Sequence, residues 1–145
     1  MGIFDGLRQA WAEAGEKVEQ DAKAKARKRG ARPIDWNTWD SGNYVAGVTF
    51  RQKEIKILLA SEGMRGDPGK GQAFYLQGII QPEPTNRHDP GAIACKASGI
   101  RFGYIPKEHQ AAIRARTPKG NGWSAKASFA FWPKDDGTLV AKYWV

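Results

Sequence analysis

The sequence predicts a mainly β domain, folded as a strongly bent sheet or small barrel with one or two short helices and preceded by one amphipathic helix. Two observations lead there. The spacing of apolar residues changes from helical before Gly30 to alternating after Gly42. From that point short apolar runs are separated by Gly, Pro, Asn and Asp as far as Val145. A chain of 145 residues has room for one ordinary domain and a tail. The predicted division is 1–34, an N-terminal helix with a basic linker, and 35–145, the β domain.

Ile3 to about Arg29 is predicted helical, because Phe4, Leu7, Trp11, Ala14 and Val18 recur at i+3 and i+4 steps. Good helix formers fill the other faces, and Gly30 with Pro33 supplies the stop. So thin an apolar stripe needs a partner to bury it. The short stripe favours docking or self-association over a membrane surface. Residues 35–42 form a turn-rich connector holding Trp36 and Trp39. Tyr44 to Phe50 and Glu54 to Ala60 read as two strands around a turn at Arg51-Gln52-Lys53. Further strands are expected at Gln72 to Ile80, Ala92 to Lys96 and Ile100 to Ile105. Pro106 opens a short helix through about Ala115. Ala125 to Trp132 and Thr138 to Trp144 close the domain as a hairpin turned by Asp135-Asp136-Gly137.

The inventory excludes several chemistries. Cys95 is the only cysteine, so no internal disulfide framework exists. With only His88 and His109 beside it, the usual four zinc ligands are hard to assemble. No cofactor is expected. The absence of a long apolar run or an apolar leader predicts a soluble, cytoplasmic chain. The Gly-rich stretch Ser61 to Gly71 resembles a phosphate-binding loop only superficially. Its glycine spacing is wrong, Gly71 stands where Ser or Thr is required, and a strand follows instead of a helix. Cys95 sits inside an apolar strand, and His88 beside Asp89 has no neighbouring nucleophile in sequence, so no enzyme is predicted.

Charge points toward phosphate. The net charge is +8, and Lys23 to Arg32 holds six basic residues and no acid. Pro33 to Val145 adds a net +5 from fifteen Lys and Arg against ten Asp and Glu. Cationic surfaces of this kind suit nucleic acid, although they also serve solubility. The Lys23–Arg32 run equally suits a helix C-terminus, where cations complement the dipole.

The most informative segment is Glu83-Pro84-Thr85-Asn86-Arg87-His88-Asp89-Pro90-Gly91-Ala92-Ile93, followed by Gly103-Tyr104-Ile105-Pro106. Asn86 and Asp89, three residues apart between prolines, can bond to nearby backbone and hold a tight loop into the next strand. On those residues alone, a purely structural role is favoured over a loop that presents Asp89 and His88 to a ligand.

These residues resemble the HIRAN family, whose hallmark is E-P-x-N-x-x-D-x-x-A-I and then G-Y-x-P opening a short helix. Glu83, Pro84, Asn86, Asp89, Ala92, Ile93, Gly103, Tyr104 and Pro106 fit, and Tyr44 to Phe50 is similar to the family's first strand. The resemblance covers about Asn43 to Ala115. It implies a modified OB-like β-barrel that binds single-stranded nucleic acid, with DNA the expected partner. In a helicase module of the family the domain captures a 3′-hydroxyl end. By resemblance, Tyr44 packs against the terminal nucleotide and Asp89 accepts a hydrogen bond from its 3′-hydroxyl. His88 stands where that module has a tyrosine, Tyr104 and Lys107 approach phosphates, and Trp123 is a later stacking aromatic placed by spacing. The alternative is a protein-interaction or oligomerisation domain that keeps the fold without the pocket.

Overall fold

The computed structural model describes residues 30–117 and 122–145, and the expected helix over Ile3 to Arg29 lies outside them. The described part is mainly β. In chain order its elements are β1 (Ala31–Pro33), α1 (Trp36–Trp39), β2 (Asn43–Tyr44), a 3-10 turn (Val48–Arg51) and α2 (Gln52–Ser61). Then come β3 (Gln72–Pro82), β4 (Ile93–Ala97), β5 (Ile100–Tyr104), a second 3-10 turn (Lys107–His109), α3 (Gln110–Arg116), β6 (Ala125–Pro133) and β7 (Leu139–Trp144).

The strands form one antiparallel sheet in the order β2-β7-β6-β3-β4-β5. The long strand β3 carries β6 along one edge. Its other edge is shared by β1 at Gln72 to Phe74 and β4 at Ile79 to Pro82. The sheet therefore takes in Ala31–Pro33, which the sequence placed in the linker. The two ends of the strand order meet in one short segment. Asn43 and Tyr44 pair with β7, Val45 N–H donates to Ala141 O, and Ala46 exchanges two backbone hydrogen bonds with Tyr104 of β5. Gly103 permits this close approach, because a Cβ there would collide with Val45. The curled sheet is thus a small barrel of the kind the sequence predicts.

Alternation decides which side chains fill it. Phe74, Ile80, Ile93, Cys95, Phe102, Phe129, Phe131 and Ala141 point inward and are fully buried. The Phe102 ring meets Phe129 edge-on at 4.8 Å and Phe131 at 5.0 Å, a favoured aromatic arrangement. A second, smaller cluster lies on the outer face of β3, β6 and β7. There α1 lays Trp39 on Ala73 and Ala130, with Ile34, Tyr75, Trp132 and Trp144 around it.

Two expected strands are absent. Of Tyr44 to Phe50, only Tyr44 and Ala46 pair, and Gly47 (φ 77°) then turns the chain into the 3-10 turn. Glu54 to Ala60 lies within α2. Ile55, Leu58 and Leu59 pack into the core at i, i+3 and i+4, while Ile57, which made the run look alternating, is 52% exposed. Among the described residues no helix is long and apolar enough to cross a membrane.

Candidate functional site

The loop after β3 is built as its sequence suggests. The Asn86 side-chain oxygen accepts from the N–H groups of His88 (2.9 Å) and Asp89 (3.0 Å). Backbone bonds from Glu83 N–H to Ala92 O and from Ala92 N–H to Asp89 O close it. Asp89 receives hydrogen bonds from Gly91 N–H at 2.9 Å and from the Gln110 amide at 2.8 Å, one on each oxygen. These two donors, with Lys107 and Arg114 nearby, hold its carboxyl below the usual carboxylate range. Each oxygen retains a second acceptor direction, so Asp89 remains a fixed anion able to accept from a ligand hydroxyl.

Tyr104 ends β5 on the outer side of the barrel. Its hydroxyl donates to Glu83 at 3.3 Å, and Glu83 also holds Arg101 at 2.7 Å. The Arg51 and Arg101 guanidiniums each lie 5.7 Å from the Tyr104 ring centroid, within cation–π range. Lys107 follows Tyr104 by three residues, is exposed, and acts on the Asp89 carboxylate.

Tyr44 is 58% exposed on β2. Beside it stand Trp132, 6.0 Å away between centroids, and the Lys142 ammonium, 5.1 Å from the Tyr44 centroid. Lys142 is buried, donates to Trp39 O at 2.8 Å and lies 4.8 Å from the Trp39 ring. Because Ala46 bridges to Tyr104, Tyr44 and Tyr104 lie on adjoining strands at the seam of the barrel.

The structure thus groups Tyr44 with Tyr104 and, through the loop, Lys107 with Asp89. His88 is exposed on that loop and held by its backbone. Trp123 departs from expectation. It is buried in the main core and offers no free ring face for stacking. The aromatic beside Tyr44 is Trp132, and strand alternation identifies it: Phe129 and Phe131 face inward, so Trp132 faces out. Arg51 and Arg101 are the other members that the sequence reading missed. Cys95 is fully buried, and burial pushes its thiol pKa up, which keeps it protonated and unreactive. Among the described residues no group of three or more His, Cys, Asp or Glu is placed to hold a metal. No family model, curated protein or solved structure matches the chain.

Proposed function

We propose that the domain is a HIRAN-like binding module for single-stranded nucleic acid, DNA foremost, and that it carries no catalytic step of its own. The observation that carries this reading is Tyr104, a ring flanked by Arg51 and Arg101 and joined through Ala46 to the exposed ring of Tyr44. Rings on rigid strands accept bases of any identity, at about 1–3 kcal/mol per stacked base. The guanidiniums and Lys107 supply the salt-dependent phosphate term. A carboxylate beside phosphate repels it, but it accepts from a neutral hydroxyl. Asp89 therefore favours a strand that ends in a 3′-hydroxyl over one that ends in phosphate.

Fluorescence anisotropy on the full chain, with DNA and RNA strands at two salt concentrations, tests the reading. Binding that weakens with salt and falls roughly tenfold on Tyr44→Ala supports it, by the stacking scale above. Undetectable binding of every strand refutes it.

One observation favours a second reading, a protein-interaction domain. Phe50 is 90% exposed and Ile57 52%, on the 3-10 turn and on α2. Light scattering distinguishes this reading: a self-associating chain loses mass on Phe50→Ser, whereas a monomeric chain is unchanged.

A further inference from the structure

The outer face of the sheet holds a cleft that the site above does not use. It is about 350 Å³ in volume. Its walls are two aromatic rings, Tyr75 of β3 and Trp144 of β7. Gln77, Ser128 and Thr38 bring amide and hydroxyl groups, Arg32 of β1 brings a guanidinium, and Asp35 brings a carboxylate that is engaged in capping α1, accepting from Asn37 N–H at 3.0 Å. The Trp144 ring is pinned by its indole N–H, which reaches Ser41 Oγ at 3.2 Å and Thr38 O at 3.3 Å. Gly42 lies directly against that ring, where any Cβ would collide with it. Across the floor, Ser128 donates to Gln77 at 3.0 Å.

We infer that this cleft is a second base-binding subsite, which takes a nucleobase between Tyr75 and Trp144 and its phosphate on Arg32. The inference rests on the reading of the domain as a binder of single strands. Three features argue for a base over an apolar occupant: the paired rings, the hydrogen-bonding groups on the floor, and the one cation at the edge. Placement agrees. Tyr75, Ala130, Lys142 and Tyr44 stand in register across β3, β6, β7 and β2. Three strand spacings separate Tyr75 from Tyr44, roughly 14 Å. A stacked strand with one phosphate per ~3.4 Å covers that distance in roughly four nucleotides. Arg32, which lines the cleft, is also the last residue in sequence of the basic run that begins at Lys23.

The test is an NMR titration of the full, isotope-labelled chain with an eight-thymidine strand bearing a 3′-hydroxyl. The inference expects shifts at the Trp144 indole N–H and at Gln77 and Ser128, separately from shifts at Tyr104 and Asp89. Arg32→Gln, an exposed change, and Tyr75→Leu should each abolish the first group of shifts and leave the second. Affinity for the eight-nucleotide strand should then fall roughly tenfold, while a two-nucleotide strand binds as before. Shifts at Tyr104 and Asp89 with none at the cleft overturn the subsite and leave the proposed function standing. Shifts at the cleft alone support the subsite and refute the Tyr44 site. If neither group moves, both are overturned. Cleft shifts that persist unchanged in Arg32→Gln and Tyr75→Leu also overturn the subsite.

Discussion

Gln110 donates from α3 to Oδ2 of Asp89 at 2.8 Å, so the helix after Tyr104 aims the loop carboxylate that is proposed to read a strand end. Asp89→Ala removes both the acceptor and a negative charge. Its effect should therefore differ between ligands. Affinity for a strand with a 3′-hydroxyl should fall roughly tenfold, the loss expected for a hydrogen bond to a charged group. Affinity for the same strand with a 3′-phosphate should hold or rise, because repulsion is relieved. Competition anisotropy with the two strands measures both, and equal losses would remove Asp89 from end recognition.

The same contacts fix a pH dependence. Hydrogen bonds from Gln110 and Gly91 hold the folded Asp89 carboxyl below its ordinary value of 3.8. A group depressed in this way adds stability above its unfolded value, and loses it as pH falls through the lower folded value. Affinity for the 3′-hydroxyl strand itself should accordingly stay level from pH 8 to pH 5 and decline only below about 3.8. Anisotropy across that range checks it. A step between pH 6 and 7 would remove the Asp89 carboxylate as the group that sets this affinity.

Arg51 and Arg101 both lie within cation–π range of the Tyr104 ring, and among the described residues only Arg101 is tied to a carboxylate, that of Glu83. Arg51→Gln should therefore cost more affinity at low salt than Arg101→Gln, and should lower the salt slope by about one phosphate contact. Neither change should disturb the core, since both side chains are half-buried and lie outside the apolar cluster. Plots of log affinity against log salt for the two variants decide the point. An unchanged slope for Arg51→Gln would place the strand elsewhere.

The sequence was most legible where one signal acted alone. The strands Gln72–Pro82 and Ile93–Ala97 and the closing hairpin of Ala125–Pro133 with Leu139–Trp144 carry apolar runs bounded by turn residues, and they fold as expected. The Asn86–Asp89 loop was legible because its bonds are local. The α2 segment was not, since Ile55, Ile57 and Leu59 fit a strand as well as Ile55, Leu58 and Leu59 fit a helix. Tertiary packing chose between them. The Gln52 amide also anchors the first turn, donating to Leu139 O at 2.9 Å and accepting from Leu139 N–H at 2.8 Å across 87 residues. No local pattern announces such a contact. Trp123 was misplaced for a related reason: counting along the chain does not say which face a ring occupies, whereas alternation about Phe129 and Phe131 does.

Lys142 ties stability to the site. Its ammonium is buried between the rings of Trp39 and Tyr44 and donates to the Trp39 carbonyl. Methionine fills similar volume, and Gly42 N–H still donates to Trp39 O, so Lys142→Met leaves no orphaned acceptor. What it removes is one charged hydrogen bond and two cation–π contacts. The expected loss is about 1–3 kcal/mol of stability in urea unfolding. Tyr44 loses the cation that faces its ring, so strand binding should weaken by more than Lys142's lack of exposure suggests, and in 3′-hydroxyl and 3′-phosphate strands alike. If Lys142→Met is destabilised but binds as the parent does, Lys142 serves the outer cluster alone. If it binds more weakly with unchanged stability, its charge reaches the strand directly.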